Sequence, residues 1–287
     1  MTVEEFIEEV HNSSIAPKDF DYVYKEFCKY RKSALETLKE FHNICISNNI
    51  HYQLAFGSLL GAIRDGAQIP WDYDVDVLVP ISERDRLIEC LKKQLNNDYY
   101  VVCPQTNSKC RHEIMRITPK GFRSEELHVD VFFLIGLPDD NIERKNVTSR
   151  IVEISNKRFF KCVSLRGEWH GNIRKSIGLF FRKLNYIALD MQELNKVFEA
   201  IAFEFPLNAC TYCTTADNWA DVDVLQYDLL RETENHITSD GEFVIPTRYD
   251  EVLSAIYGDF RRLPDLSSRI KDVYYHYRLI KQYGISH

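Results

Sequence analysis

Asp72, Asp74 and Asp76 stand on alternate residues in the stretch Trp71-Asp72-Tyr73-Asp74-Val75-Asp76-Val77-Leu78-Val79. Period-two alternation is the signature of a strand, and residues two apart share a face. The three carboxylates are expected to line one edge or face, with Tyr73, Val75 and Val77 turned into a core. Like charges about 7 Å apart on one strand repel each other. A cation between them is the simplest way to keep such a row, and Mg²⁺ or Mn²⁺, which prefer oxygen ligands, would serve. Upstream, the apolar Leu54-Ala55-Phe56 leads into Gly57-Ser58, and Leu59, Leu60, Ala62 and Ile63 continue with helical spacing. A Gly-Ser turn at a helix start leaves backbone N–H groups free to hold phosphate. Metal carboxylates facing a phosphate-binding turn can perform metal-assisted phosphoryl or nucleotidyl transfer. An acidic edge strand that repels other edges would share the Asp spacing, but not the Gly-Ser lead and the apolar continuation.

A further carboxylate, Asp130, lies inside the apolar run His128-Val129-Asp130-Val131-Phe132-Phe133-Leu134. A lone Asp in a core strand is costly unless paired or metal-bound. It reads as the third carboxylate of the metal site, on a strand adjacent to the first. The plain alternative is an ion pair, for example with Arg116 of the strand Ile114–Thr118. Arg64 closes the helix that Gly57-Ser58 begins; it could fork onto a donor phosphate or pair with one of the aspartates.

Gly57-Ser58-Leu59-Leu60-Gly61-Ala62-Ile63-Arg64 and Ile69-Pro70-Trp71-Asp72-Tyr73-Asp74-Val75-Asp76 together resemble the signature of the LicD/fukutin family, part of the polymerase-beta-like nucleotidyltransferase superfamily. The resemblance runs closely over residues 38–138. It returns over 242–264, where Ile245-Pro246, Tyr257-Gly258-Asp259-Phe260 and Leu263-Pro264 look like the family's C-terminal motif, with Asp259 as a secondary site candidate. A histidine often follows the family's arginine; here Asp65 stands there. The resemblance implies an α+β, nucleotidyltransferase-like mixed sheet with flanking helices, plus a mainly helical C-terminal region. It also implies transfer of a substituted phosphate, phosphocholine foremost, from a CDP-activated donor to a hydroxyl of a cell-surface glycan or its precursor. CDP-choline, CDP-ribitol and CDP-glycerol are the donors it brings into view. In that frame Asp74 and Asp76 hold Mg²⁺ (or Mn²⁺), Asp72 supports the edge or a second ion, Asp130 completes the site and orients or deprotonates the acceptor hydroxyl, and Gly57, Ser58 and Arg64 bind donor phosphate. Family spacing from Gly-Ser also allows Asp72 and Asp74 as the metal pair. Two other functions remain in view: a nucleotidyltransferase moving NMP from an NTP to a small hydroxyl compound, and an inactive relative acting as a binding subunit.

The rest of the chain must position these residues. With 287 residues, 45% hydrophobic and 28% charged, it can build a full core as one large domain or two intimate ones. Its net charge of −7 argues against a broad nucleic-acid surface. No run of eighteen apolar residues occurs, and the acidic, amphipathic start does not read as a signal peptide, so a cytoplasmic location is expected. The eight cysteines are expected to be free thiols; Cys210-Thr-Tyr-Cys213 with Cys103 and Cys110 could form a zinc site only if distant segments met.

A catalytic core over 1–140 and an acceptor-side, mainly helical region over 141–287 is the expected division. Helices are expected over 3–12 and from Tyr22 to Asn48, a strand over His51–Phe56, and a helix capped by Ser82 to about Leu95 with Arg84 outside. Strands are expected at Tyr99–Cys103 and Ile114–Thr118, and helices over Asn146–Phe160 and Leu189–Phe205. The basic, aromatic stretch Arg174–Lys183 could meet an anionic membrane surface at the inner face. Trp219-Ala-Asp221-Val-Asp223-Val224 partly mimics the first acidic motif but reads as a loop. Beyond it come a strand at Glu242–Pro246, a helix Tyr249–Tyr257 capped by Thr247 and ended by Gly258, and a tyrosine-rich helix Arg269–Gly284 around His276.

Overall fold

The computed structural model describes residues 1–164 and 173–283. Helix α1 (Val3–His11) opens on a capping box: Glu5 N–H donates to the Thr2 hydroxyl while Thr2 N–H donates to the Glu5 carboxylate. Helix α2 (Phe20–Ser47) buries Phe20, Tyr24, Phe27, Ala34, Leu38 and Phe41, a stripe at helical spacing that packs on the sheet.

The sheet runs β1 (Gln53–Leu54), β2 (Val75–Pro80), β5 (Val129–Leu137), β4 (Met115–Pro119), β3 (Tyr99–Val102). β2 and β5 are parallel; the other pairs are antiparallel. β5 outruns β4, and its far half pairs with β6 (Tyr212–Thr215), which pairs in turn with β7 (Leu225–Gln226). The seven-stranded mixed sheet and its flanking helices make an α+β fold, as expected. The C-terminal half is less purely helical than its sequence suggests, because β6 and β7 join the main sheet. A separate hairpin pairs β8 (Thr233–Thr238) with β9 (Gly241–Pro246); β8 is concealed in a polar Thr/Asn/His run and is exposed along most of its length.

The covering helices are α3 (Phe56–Leu60), α4 (Arg84–Gln94), α5 (Asn141–Cys162), α6 (Ile173–Leu184), α7 (Met191–Ala202), the short α8 (Asp228–Arg231), α9 (Tyr249–Tyr257) and α10 (Leu266–Tyr283). α5 begins earlier than expected because the Asp140 carboxylate caps Ile142 and Glu143. Arg84, expected outside, is buried: its guanidinium pairs with Glu199 of α7 at 2.6 Å and with Asp85 at 3.0 Å. Ser82 sits in a one-turn 3₁₀ segment before α4 and makes no side-chain cap. Thr247 does not cap α9 either; its hydroxyl donates to Glu232 O. Gly258 ends α9 with φ +67°, as its residue type favours.

The expected strand His51–Phe56 shrinks to Gln53–Leu54, because the chain turns sharply at Phe56, whose φ is +42°. The helix it enters continues through one π turn, Gly61–Asp65, and stops at Gly66 with φ +67°. The four cysteines considered for zinc are free, and among the described residues they form no ligand cluster. No described helix is long and apolar enough to cross a membrane. The stretch 167–172, whose Gly-Glu-Trp-His-Gly-Asn sequence reads as a loop, lies outside the described residues. Residues 174–183 fall in α6, where Ile177, Phe180 and Phe181 are exposed.

Candidate active site

Asp76 lies on β2, and Asp72 and Asp74 precede it. The strand begins only at Val75, a correction to the expected row of three strand carboxylates. The lead-in stays irregular because other groups take its backbone: Arg31 donates to Asp72 O at 3.0 Å, and the Asp72 carboxylate accepts Asp74 N–H at 3.0 Å. β1 is too short to pair with it. Alternation nonetheless survives, with Trp71, Tyr73, Val75 and Val77 buried between the aspartates.

Parallel pairing sets Asp76 directly beside Asp130, and antiparallel pairing sets Arg116 on Asp130's other side. Arg116 Nε donates to Asp130 Oδ1 at 2.8 Å, and His128 Nε2 lies 3.3 Å from the same oxygen. The structure shows the ion pair of Asp130 with Arg116 and sets Asp130 on the strand next to Asp76, but Asp130 is not in the set of ligand atoms that lie together among the described residues. Burial pushes its carboxyl up, but Arg116 and His128 override that and hold it well below the usual carboxylate range. Asp76 goes the other way, raised well above the usual value by burial and by the charges of Asp130, Asp74 and Asp72. Asp74 is raised by burial, then by Asp72 and Asp130.

The Gly-Ser turn meets these carboxylates through the backbone. Asp76 N–H donates to Ser58 Oγ at 2.9 Å, which leaves the Ser58 hydroxyl proton free to donate elsewhere. Gly57 is packed so closely that a Cβ there would sit 3.1 Å from Asp72 Oδ2. Leu59 N–H already bonds Ala55 O, so the N–H groups of Phe56, Gly57 and Ser58 are those without an intrahelical acceptor. Phe56's left-handed turn aims that helix start, and Phe56 rests edge-on against Phe132 of β5.

Arg64 does not reach the aspartate row. Its guanidinium forks onto Asp65, with Nη2 at 2.7 Å from Oδ2, and lies over the Trp71 ring. The structure thus realises an ion pair for Arg64, with its own neighbour. Asp259 is exposed in the segment leaving α9.

Three residues that sequence reasoning did not select join the site. His276 of α10 stands edge-on to Tyr73, with ring centroids 4.8 Å apart, and Asp72, Asp74 and His276 bring ligand atoms within 4.8 Å of one another. Tyr257, at the end of α9, has its hydroxyl raised by burial and then by the charges of Asp76, Asp72 and Asp223. Asp217, 3% exposed, has its carboxyl pushed up to about 6 by burial, with Asp223 and Asp130 adding to the rise. Asp223 comes from the loop that mimicked the first acidic motif; it accepts a hydrogen bond from Thr215 Oγ1 at 3.0 Å. A cavity of about 300 Å³ opens here, lined by Phe56, Leu59, Thr215, Asp223, Val252 and Ile256 among others. Only His276's position as the one imidazole among three tyrosines hinted at a role.

The donor set fits a divalent cation. It offers several carboxylates and one imidazole, and two of the carboxylates, Asp74 and Asp76, are held protonation-prone by burial and then by the charge of neighbouring carboxylates, which a cation would relieve.

Residues 49–164 match the family described as LicD/FKTN/FKRP, nucleotidyltransferase domain. Over 250 residues the chain is 23% identical to lipopolysaccharide cholinephosphotransferase LicD of Haemophilus influenzae, covering 80% of this chain and 89% of that protein. A 78-residue stretch is 33% identical to an uncharacterized protein of Rickettsia typhi, 25% of each chain.

Proposed function

This chain belongs to the LicD family through its residues 49–164, and on that premise we propose that it is a transferase moving a substituted phosphate, phosphocholine foremost, from a CDP-activated donor to a hydroxyl of a glycan. The observation that carries the reading is the registered pair Asp76 and Asp130, with Ser58 bonded to the Asp76 backbone. The relative from Haemophilus influenzae, whose name describes a lipopolysaccharide cholinephosphotransferase, supports the choice of acceptor class and head group.

Asp72, Asp74 and Asp76 are the carboxylates that would hold Mg²⁺ or Mn²⁺, which would supply charge neutralisation on the donor pyrophosphate. Ser58 and the free N–H groups at the start of α3 would donate to donor phosphate oxygens. Asp130, fixed as an anion by Arg116, would accept a hydrogen bond from the acceptor hydroxyl and orient it in line with the phosphorus. The acceptor would enter beside Tyr257 and Asp223. Little covalent chemistry is asked of the protein; positioning and electrostatics would supply most of the rate.

The test is product analysis with CDP-choline, CDP-ribitol, CDP-glycerol, CTP and ATP, each with and without divalent metal and with a lipopolysaccharide acceptor. Metal-dependent CMP release from a CDP-alcohol is the expected outcome. Pyrophosphate release from a triphosphate would replace this reading with nucleotidyl transfer. No turnover and no metal binding would leave a binding subunit.

A further inference from the structure

Within the metal-dependent reading above, on which this inference rests, we propose that His276 of the C-terminal helix is itself a ligand of the catalytic cation, shared with Asp72 and Asp74, and that the site therefore favours an imidazole-accepting ion such as Mn²⁺ or Co²⁺ over Mg²⁺. Among the described residues, Asp72, Asp74 and His276 are the one set of three or more that brings ligand atoms within 4.8 Å of one another. That span suits a single ion, whose ligands lie about 2.0–2.3 Å from the metal and hence within ~4.6 Å of each other.

The fold places this histidine deliberately. α10 buries Ile270, Val273, Tyr277 and Ile280 along one stripe, and His276 stands on the flank of that stripe. Its ring meets Tyr73 edge-on (82°) and lies near-parallel to Phe27 at 6.4 Å, so two aromatic neighbours fix its plane. Tyr73 is the residue between the two aspartates, so the contact that holds the ring also sets it over them. Asp272, one turn earlier on α10, adds a negative charge near the ring without bonding to it. Asp72, in turn, is oriented by Asp74 N–H.

The ligand chemistry decides the ion. Carboxylate and water alone suit Mg²⁺ and Mn²⁺ alike, whereas an imidazole in the set moves the preference along the divalent transition series, so that Mn²⁺ and, more strongly, Co²⁺ gain on Mg²⁺. The ion would also tie α10 to the lead-in of β2, two segments some 200 residues apart in sequence. The C-terminal helix then becomes part of the active site and not only a brace on α2.

The experiment titrates the full chain with Mn²⁺, follows free ion by EPR and records pulsed EPR of the bound ion. Wild type should bind Mn²⁺ and show nitrogen modulation from a coordinated imidazole. His276→Phe keeps an aromatic ring against Tyr73 and Phe27; it should lose that modulation and bind Mn²⁺ about tenfold or more weakly, with its metal-free melting temperature unchanged. Mg²⁺, measured by competition, should lose less. His276→Gln gives the same readout if the Phe variant does not fold. Unchanged Mn²⁺ affinity and modulation in these variants, while Asp74→Asn abolishes binding, would overturn the His276 assignment and leave the metal-dependent transferase standing. Failure of wild type to bind any divalent ion would overturn both.

Discussion

Asp76 and Asp130 are register partners on adjacent parallel strands, yet their carboxylates are driven in opposite directions. Burial and neighbouring carboxylates raise Asp76, while Arg116 and His128 hold Asp130 down. One strand thus presents a group that gains from a cation, and the next presents a fixed anion. Environments that push paired carboxylates apart assign them different tasks.

Asp76→Asn should separate function from stability. The amide cannot replace a metal carboxylate, so CMP release should fall by about 10²–10³-fold or more. The sign on stability is opposite. A carboxyl whose folded pKa is raised is destabilising once ionised, so at pH 7 without metal the variant should melt higher than wild type, by about 2–4 °C for each kcal/mol of repulsion removed. Calorimetry in chelator and an activity assay on the same preparation check both. Full activity would remove Asp76 from the metal site and leave the cation to Asp72, Asp74 and His276.

Arg116→Met should be costly in the other way. It leaves Asp130 charged and buried with only His128 beside it, an arrangement that costs up to about 3–5 kcal/mol. Asp130→Asn in the same chain should recover much of that loss, because the stranded charge is gone. Urea denaturation of the two single variants and the double variant measures the coupling. Additive losses would mean that the pair is not a unit.

How far the site could be read from the chain follows from sequence distance. Gly57-Ser58 and Asp76 lie within one short stretch, and turn chemistry plus period-two alternation sufficed to find them. Asp130 was legible because a lone carboxylate in an apolar strand demands a reason. The lead-in conformation of Asp72 and Asp74 was not legible, since it depends on Arg31 reaching the Asp72 carbonyl from α2. Arg84 looked like a solvated helix residue until Glu199, more than a hundred residues later, arrived as its partner. The pairing of β6 with β5, which brings Asp217 and Asp223 to the cleft, has no local signal at all. His276 is hidden because it stands among tyrosines whose pattern signals only packing, and its contacts with Tyr73 and Phe27 come from distant segments.

Gly57→Ala tests how tightly the turn and the carboxylates are fitted. Its Cβ would lie 3.1 Å from Asp72 Oδ2, the free end of a side chain that can move. The fold should survive, helped by alanine's better helix propensity. Displacing Asp72 should weaken Mn²⁺ binding by about tenfold. Metal titration and a metal-free melting curve check the two halves, and unchanged affinity would remove Asp72 from the metal site.

Asp217 offers a pH signature that belongs to the cleft wall. Its carboxyl, raised by burial to about 6, accepts Trp219 N–H at 2.7 Å and faces the Thr215 hydroxyl at 3.3 Å. The folded state therefore holds this proton more tightly than the unfolded chain, so the contribution is fully present below about pH 4 and is lost as pH rises through 6. A shift from 3.8 to about 6 corresponds to roughly 3 kcal/mol of stability lost across that window, an upper figure because backbone donors remain in place. Asp217→Asn keeps a carbonyl acceptor for Trp219 and carries no charge. It should be more stable than wild type at pH 7.5, equal to it near pH 4, and flatter between. Urea denaturation at pH 4, 5, 6 and 7.5 measures this directly. A parallel pH profile in the two proteins would show that the Asp217 carboxyl is not what titrates, and that Asp223 or the aspartate row governs the acid side of the curve.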